Sequence, residues 1–481
     1  MDVELVARNQ LFIRTAHAGL LADLRNNLDH ENPEFKKKKK MGFATYDTPA
    51  RIKMFQEWDE GIIIPKGTGK MVRDLCLKHG LNVKVIDERT CNQPIDVYFG
   101  PKITPLWYQK EAVEAMTIEQ QGLVKAGCGA GKSIIGLMFI AKHRQRTLIV
   151  VHTSELFQQW QDEIKKNLEG RFTIGVLGNG KKVFGDITVA LIQTIVRMSP
   201  TEMKEITKRF AIMIGDESHH FGADSYMKLM RSVAAKWQIG LTATPKRKDR
   251  KDFVIDAYLG RVFHEISDED LQASGRLVSC EVLIVQTGRN YDFDALKRDY
   301  GAFGSQISRD IERNTTIVDS VAKDVADERT PMVLTERRAH ARLLYSMLNA
   351  KGFRVAELTG AVPICDRDRI KRQFKNREYD ILIANKQIAA EGMDIPSIDS
   401  VHFTFYTTNV GLIKQAIGRG RRTVEGKEYC RVWYYRDYVF EKNPDPLMNR
   451  STTTEVEAFK FNYAKVTRFF KGEGFKVSDA G

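Results

Sequence analysis

The chain has 481 residues, of which 42% are hydrophobic and 28% are charged, and its formal net charge is +13. This length exceeds what one hydrophobic core ordinarily supports and predicts roughly two to four domains, while the ordinary composition excludes a disordered or fibrous protein. The surplus of Lys and Arg favours a polyanionic partner, with nucleic acid as the leading class, although a basic surface kept for solubility gives the same balance.

The six cysteines occur singly along the chain, without a C-x-x-C pair. This spacing predicts neither a zinc ribbon nor a disulfide framework, and it favours a reducing compartment. No apolar run approaches the roughly 20 residues that span a bilayer, and the first ten residues carry acids where a secretory signal is basic and then apolar. We therefore expect a cytoplasmic protein without a membrane partner.

Residues 1–100 lack the repeated strand-then-helix rhythm of the rest of the chain and are expected to form a small accessory domain of mixed α and β structure. Its later part predicts a strand, a Gly/Pro-containing turn and an amphipathic helix whose apolar positions include Met71, Leu75 and Leu77. The run Lys36–Lys40 has three interpretations: a duplex-gripping patch, an import-like signal, or a solvated disordered run, which is the commonest for such tracts.

From residue 101 onward, short apolar strands alternate with helical stretches, a pattern typical of buried parallel strands. Two α/β domains in tandem, residues 101–270 and 271–445, follow from a restart of this rhythm after residue 270. Residues 446–481 contain a helix-like stretch and predict a docked helical tail, with a partner-binding helix as the alternative. The predicted strands lie within residues 146–153, 186–194, 209–217, 236–244, 331–338, 353–360, 379–385 and 400–407.

The sequence AGCGAGKS has the spacing of a phosphate-binding loop, with Ala126 where the general pattern has Gly. Small residues let backbone N–H groups turn toward phosphate oxygens, Lys132 can neutralise the β- and γ-phosphates, and Ser133 can ligand Mg²⁺. The apolar segments on either side fit the strand and helix that must flank such a loop. We therefore expect the phosphates of a nucleotide to contact Ala126, Gly127, Cys128, Gly129, Ala130, Gly131, Lys132 and Ser133.

Asp216 and Glu217 follow an apolar segment downstream of this loop. Asp216 is expected to hold Mg²⁺, and Glu217 to orient and deprotonate the water that attacks the γ-phosphorus. An isolated Asp-Glu pair would more commonly end a strand without a catalytic role. The phosphate-binding loop upstream favours catalysis.

The segment Asp216–His219 resembles the DExH box of superfamily 2 helicases, and the other signatures of that family occur in its order. In the first α/β domain, Trp107-Tyr108-Gln109 is similar to the Q motif, residues 148–160 to motif Ia, residues 191–194 to motif Ic and Thr242-Ala243-Thr244 to motif III. In the second, residues 333–341 resemble motif IV, residues 384–396 motif V and residues 415–422 motif VI. The resemblance implies two tandem RecA-like parallel-sheet domains, preceded here by a small α+β domain.

The resemblance also implies roles for individual residues. Arg419 and Arg422 inherit the arginine-finger role at the γ-phosphate. Further nucleotide contacts are implied for Trp107, Gln109, Gly392, Asp394 and Gln415. The resemblance also implies that His219, Thr242 and Thr244 couple the ATP state to the binding of nucleic acid.

Polar residues of motifs Ia, Ic and IV are expected to bind the phosphates of the nucleic acid without reading its bases. These candidates are Thr153, Ser154, Gln193, Thr194 and Arg337. Hydroxyls and amides at strand ends often cap helices instead. The basic cluster 245–252 predicts either a DNA contact or a solvated loop.

Within the superfamily, residues 107–116 and 43–80 are similar to the XPB and UvsW group of DNA motors. This likeness implies an ATP- and Mg²⁺-dependent DNA helicase of phage type, acting as a monomer in the host cytoplasm. It would remodel branched DNA in recombination, repair and replication, by Holliday-junction branch migration, fork regression, and unwinding of D-loops or R-loops. Two alternatives share the motifs: an ATP-gated clamp or assembly factor without productive unwinding, and a DExH RNA helicase.

Overall fold

The computed structural model describes residues 2–127, 129–217, 223–243, 251–292, 300–360, 362–386, 395, 397–407, 409–443, 452–455 and 457–480. The chain forms two compact units, Met1–Ser267 and Asp268–Gly481. Within the described residues, no helix combines the length and the apolar character needed to cross a lipid bilayer.

The first unit begins with a five-stranded sheet in the order β5-β6-β2-β1-β7, in which only the β1–β7 pair is parallel. Helix α1 covers it because Leu20, Leu24 and Leu28, four residues apart, share one buried face. The elements are β1 Asp2–Ala7, β2 Leu11–Arg14, α1 Ala18–Leu28, β3 Asp29–Glu31, α2 Pro33–Lys40, β4 Arg51–Lys53, β5 Gln56–Trp58, β6 Gly61–Ile64, α3 Gly69–Lys78 and β7 Asn82–Asp87.

The predicted amphipathic helix exists as α3, but its buried face differs from the prediction. Val72 and Cys76 are fully buried, Met71 and Leu75 are partly buried against the same core, and Leu77 is 71% exposed. Leu77 lies five positions after Val72, so it points away from the buried stripe. Including Leu77 in the apolar face was therefore wrong.

The lysine run forms the body of helix α2, so its interpretation as a disordered tract was wrong. Asn32 caps the helix by accepting a hydrogen bond from the Glu34 N–H at 3.0 Å, and Pro33 occupies the first turn. Glu34 lies at the amino end and the lysines at the carboxyl end, which complements the helix dipole at both ends. Local capping and charge placement thus offset the repulsion between neighbouring lysines.

The amino-terminal sheet belongs to the same compact unit as the first α/β domain. Lys66 is buried, and its ammonium donates to the Ala235 carbonyl at 2.9 Å; burial lowers the pKa of Lys66 well below its ordinary value. A Cβ added to Gly67 would lie 2.6 Å from the Gly260 nitrogen. Such close backbone contact integrates residues that the sequence predicted as a separate domain.

The first α/β sheet has the order β13-β12-β14-β10-β15-β16-β9-β17 and is parallel except for β13. Its central strands are fully buried, which explains their continuous apolar sequences. The elements are β8 Tyr98–Phe99, α4 Trp107–Glu119, β9 Gln121–Ala126, α5 Lys132–His143, β10 Thr147–Val151, α6 Ser154–Asn167, β11 Leu168–Glu169, β12 Ile174–Gly178, β13 Lys181–Val183, β14 Ile187–Leu191, α7 Ile192–Ile195, α8 Pro200–Arg209, β15 Ile212–Asp216, α9 Ala223–Ser232, β16 Trp237–Thr242, α10 Asp252–Tyr258 and β17 Val262–Ile266.

The second unit contains a sheet in the order β20-β21-β19-β22-β23-β18-β25, whose strands run parallel, with β24 antiparallel to β23. The predicted carboxyl-terminal helix is α17, and an unpredicted edge strand, β25, follows it. The elements are α11 Asp268–Ala273, β18 Ser279–Asp292, α12 Tyr300–Arg309, α13 Ile311–Ala326, β19 Pro331–Thr335, α14 Arg338–Ala350, β20 Val355–Leu358, α15 Ile364–Lys375, β21 Ile381–Asn385, β22 Ser400–Phe403, α16 Val410–Gly420, β23 Tyr429–Asn443, β24 Thr452–Glu455, α17 Glu457–Gly472 and β25 Lys476–Ala480.

Candidate ATP and nucleic-acid sites

The phosphate-binding loop joins β9 to α5 at the carboxyl edge of the first α/β sheet. Lys132 and Ser133 open α5, so the amino end of this helix faces the loop. Gly129 and Gly131 have φ angles of 89° and 74°, in the region where glycine is favoured. The predicted loop residues therefore adopt the strand–loop–helix context that phosphate binding requires, except Cys128, which lies outside the described residues.

Gln109 contacts this loop directly, which the sequence did not predict. Its side-chain amide donates to the Ala130 carbonyl at 3.1 Å and accepts from the Leu106 N–H at 3.0 Å. Gln109 is buried, and a Cβ on Gly131 would come within 2.6 Å of its amide nitrogen. Gln109 thus positions the loop, whereas Trp107, 46% exposed, presents its ring to solvent.

The two predicted catalytic carboxylates meet the loop because β15, β16 and β9 are neighbouring parallel strands that end at one edge. The Lys132 ammonium donates to the Glu217 carboxylate at 2.7 Å, although 85 positions separate them. Glu217 has a φ of 49°, which is rare for a residue with a side chain, and its N–H is held by the Leu241 carbonyl at 2.9 Å. The fold therefore fixes Glu217 against the phosphate-binding lysine.

Asp216 is buried beneath this pair. The Trp160 indole N–H donates to its Oδ2 at 2.9 Å, an interaction that the sequence did not reveal. Burial and the neighbouring Glu217 charge raise the pKa of Asp216 to about 6. Its Oδ1 is buried and has no hydrogen-bond partner among the described residues, so a hard cation would satisfy an otherwise uncompensated oxygen.

Motif III contacts Glu217 from the adjacent strand. The Thr242 hydroxyl donates to Glu217 Oε2 at 3.3 Å, and the Ala243 N–H approaches the same oxygen at 3.5 Å. One carboxylate therefore links the phosphate-binding lysine to motif III. The other two predicted coupling residues, His219 and Thr244, lie outside the described residues.

The nucleic-acid candidates of the first unit gather at the same edge, after β10 and β14. Gln193 is exposed and donates to the His152 carbonyl at 2.9 Å, which ties the two strand ends together. Ser154 is exposed, and its hydroxyl lies 3.4 Å from Asn179, a residue of the β12–β13 turn that the motifs did not single out. Thr194 is partly buried in the short helix α7.

Thr153 has a structural task that explains its position. Its hydroxyl accepts from the Leu156 N–H at 3.2 Å and caps helix α6. The alternative that a strand-end hydroxyl caps a helix therefore describes Thr153 correctly. Ser154 and Gln193 are exposed, whereas Thr153 is partly buried.

In the second unit, Arg337 follows β19 and lines a small cavity of about 30 Å³ together with Glu336, His340 and Tyr406. A Cβ on Gly304 would lie 2.8 Å from the Arg337 guanidinium, so this side chain packs closely on α12. Gly392 and Asp394 of motif V lie outside the described residues.

Motif VI forms α16 and the residues that follow it. Gln415 is partly buried, Arg419 is 8% exposed and Arg422 is partly buried. The intervening Arg421 is a structural residue, since its Nε donates to the Val278 carbonyl at 3.0 Å and its guanidinium pairs with Asp268. Arg421 was not among the residues to which the resemblance gave a catalytic role.

Two family models match the chain. The model described as the type III restriction enzyme res subunit matches residues 102–247, and the helicase conserved C-terminal domain matches residues 313–423. These segments contain the phosphate-binding loop with Asp216 and Glu217, and motifs IV to VI, respectively.

Several known proteins are similar to this chain in sequence or in fold. The DNA 3'-5' translocase XPB2 of Sulfurisphaera tokodaii is 25% identical over 60% of this chain and 72% of its own. The ATP-dependent DNA helicase uvsW of Enterobacteria phage T4 is 20% identical over 77% of this chain and 74% of its own. The structure of S. cerevisiae Dbp5 bound to RNA and ADP BeF3 matches the fold with a TM-score of 0.53 and 14% identity, over 78% of this chain and 90% of Dbp5. The chain therefore belongs to the superfamily 2 helicases, in their XPB- and UvsW-like group, and is a nucleic-acid-dependent ATPase.

Proposed function

We propose that the chain is an ATP-driven DNA translocase that remodels branched DNA by Holliday-junction branch migration, fork regression, and unwinding of D-loops or R-loops. The observation that carries the motor function is the contact of Glu217 with both Lys132 and motif III. Because one carboxylate touches the phosphate-binding lysine and the coupling strand, a change at the γ-phosphate is transmitted directly to β16. DNA as the track is supported by the similarity to a DNA 3'-5' translocase and to an ATP-dependent DNA helicase.

Each residue of the first unit has a chemical task in this proposal. Lys132 binds the β- and γ-phosphates, and Glu217 orients the attacking water and accepts its proton. Ser133 and Asp216 would hold Mg²⁺, for which Asp216 Oδ1 provides a fitting ligand, since it has no hydrogen-bond partner within the described part of the chain. When bound, Mg²⁺ neutralises charge on the phosphate oxygens. Trp107 contacts the base of ATP, while Gln109 keeps the loop in shape.

The second unit supplies positive charge. Arg419 and Arg422 stabilise the charge that develops on the γ-phosphate, with Gln415, Gly392 and Asp394 as further nucleotide contacts. Ser154, Gln193, Thr194 and Arg337 bind the DNA backbone. The amino-terminal domain adds an accessory DNA contact through the exposed lysines of α2, and the protein acts as a monomer.

The decisive experiment compares a four-way junction, a fork and a linear duplex as substrates in the presence of ATP. We expect faster dissociation of the junction and fork than of the duplex, and stronger ATPase stimulation by DNA than by matched RNA. Equal rates on the three substrates would contradict branch specificity. Stimulation without any strand displacement would favour the ATP-gated clamp, and preference for RNA would favour the RNA helicase.

A further inference from the structure

The lysine helix α2 ends in a turn that holds an aromatic side chain out in solvent. Gly42 has a φ of 71°; its N–H bonds the Lys39 carbonyl at 3.2 Å, and the Phe43 N–H bonds the Lys38 carbonyl at 3.0 Å. This is the Schellman arrangement, in which the side chain at the Phe43 position normally packs on an apolar residue at the Lys38 position. Here that residue is a lysine, and Phe43 is 61% exposed.

Tyr46 lies three positions further on and is 95% exposed. The loop that carries it is fixed at both ends, because the Thr48 N–H bonds the Thr45 carbonyl at 3.1 Å and the Asn32 N–H bonds the Ala50 carbonyl at 2.9 Å. Thr48 itself is buried and its hydroxyl contacts Asp47. Hydrogen bonds therefore hold the backbone of this loop, whereas the rings of Phe43 and Tyr46 are exposed to solvent instead of packing in the core.

The lysines of α2 divide into two groups. Lys36 pairs with Glu31, and Lys38 bonds Asp47 at 3.0 Å, so these two hold the local structure together. Lys37, Lys39 and Lys40 are exposed and lie next to the aromatic loop. Cationic side chains thus adjoin exposed aromatic rings within ten residues of chain.

This surface lies close in space to the segment that follows motif III. Glu34 of α2 pairs with Lys251 at 3.0 Å, and His30 stacks on Phe253 with 4.4 Å between ring centroids. Lys251 follows Ala243 of motif III by eight residues, and eight residues span at most roughly 28 Å. A strand held at α2 is therefore within reach of the segment that contacts Glu217.

We propose that Phe43 and Tyr46 form a stacking surface for unpaired bases, and that Lys37, Lys39 and Lys40 bind the phosphates of the same strand. A continuous duplex needs cations alone, because its bases are already stacked on one another, whereas exposed rings beside cations match a single strand. The inference rests on the proposed function and deepens it by naming the unpaired region of a branched substrate as the ligand of the amino-terminal domain.

The test measures binding of the full-length protein to three fluorescent probes of equal length: oligo(dT), an abasic single strand and a blunt duplex. The variant Phe43→Ala/Tyr46→Ala should weaken oligo(dT) binding about tenfold or more and leave the other two affinities within about twofold. Lys37→Ala/Lys39→Ala/Lys40→Ala should weaken all three. Leu77→Ala, which removes an exposed side chain of the same domain, is the matched control and should change none.

Ring chemistry is tested separately from folding by Phe43→Trp and Tyr46→Phe, which should retain oligo(dT) affinity, while Phe43→Leu/Tyr46→Leu should not. Equal losses on all three probes for the alanine pair, or none, would overturn the stacking surface, as would self-association that depends on Phe43 and Tyr46. If wild type fails to dissociate junctions while its oligo(dT) binding depends on the rings, the proposed function falls and the stacking surface stands. The opposite pattern removes the surface alone.

Discussion

The backbone of Glu217, the proposed catalytic base, is strained. A residue with a side chain in the left-handed region costs roughly 1–2 kcal/mol, and here the φ of 49° aims the carboxylate at Lys132 and Thr242. Such strain persists because the surrounding parallel strands fix the residue on both sides.

Replacing Glu217 by Gln should lower kcat for ATP hydrolysis at least about a hundredfold, since the amide cannot accept the proton of the attacking water. The ATP dissociation constant should stay the same or fall, because Lys132 loses a competing anion. Steady-state ATPase and equilibrium nucleotide binding measure the two effects. Glu265→Gln, which breaks the Lys125–Glu265 pair on neighbouring strands of the same sheet, is the control and should retain turnover.

Trp160 is a positioning residue for Asp216. Trp160→Phe removes the N–H that bonds the Asp216 carboxylate, and we expect roughly a tenfold rise in the Mg²⁺ concentration that supports half-maximal ATPase, as for outer-shell partners of metal ligands. Trp237→Phe removes another buried indole from the same unit, whose N–H has no hydrogen-bond partner among the described residues. An equal shift in Mg²⁺ dependence for both variants would assign Trp160 a packing role alone.

Motif spacing predicted Lys132, Asp216 and Glu217 as residues of one site, and the structure brings them together. The partners of these residues were beyond the sequence, since Trp160 precedes Asp216 by 56 positions and nothing in its neighbourhood distinguishes it from a core residue. Gln109 was assigned to the nucleotide by resemblance, but only the packing of α4 against the loop reveals its bond to Ala130.

At the scale of elements, the eight predicted strands are confirmed because buried parallel strands carry uninterrupted apolar sequence. Helix α2 was not predicted, because five consecutive lysines indicate mutual repulsion. Glu31 and Asp47 offset this repulsion by pairing with Lys36 and Lys38, and only the structure shows these contacts. Strand β25 escaped because its short sequence is partly exposed at the edge of the sheet.

Helix α5 carries a pH dependence at its carboxyl end. Burial, with repulsion from Lys142 and Lys236, lowers the pKa of His143 from 6.5 to about 4, and its Nε2 lies 3.0 Å from the Thr117 hydroxyl. His143 therefore binds a proton below about pH 6.5 in the unfolded chain, whereas in the folded unit it stays neutral down to about pH 4. Stability of the first unit should fall as the pH drops through this window.

We expect the loss between pH 7.5 and pH 5 to be roughly 1–2 kcal/mol for this group. His143→Gln should remove that part of the slope, as measured by urea titration followed through hydrogen exchange of peptides from α5. Identical pH slopes for wild type and the variant would mean that His143 titrates alike in the folded and unfolded chains.

At the scale of the whole molecule, the amino-terminal domain and the first α/β domain are joined through backbone contact. Gly67 approaches Gly260, and Lys66 bonds the carbonyl of Ala235. These contacts span about 170 to 190 positions of sequence, so no local pattern predicted them. The absence of the strand-then-helix rhythm in residues 1–100 indicated a separate domain.

Gly67→Ala should destabilise the first unit by roughly 1–3 kcal/mol, because its Cβ would overlap backbone atoms that cannot move independently. Gly69→Ala is the matched control: its Cβ would meet only the Leu11 side chain at 3.8 Å, and alanine favours the start of α3. Thermal unfolding measures both. Equal melting temperatures for the two variants would indicate that the interface near Gly67 yields easily.

Because Lys132 is paired with Glu217, the Glu217 carboxylate and the γ-phosphate of ATP would compete for the same ammonium. Binding of ATP would therefore have to displace Glu217 from Lys132, and the displaced carboxylate is the proposed base for hydrolysis. After phosphate release, Glu217 can pair with Lys132 again and oppose rebinding of the phosphate. In the proposed cycle, this ion pair would therefore release the base only when ATP arrives.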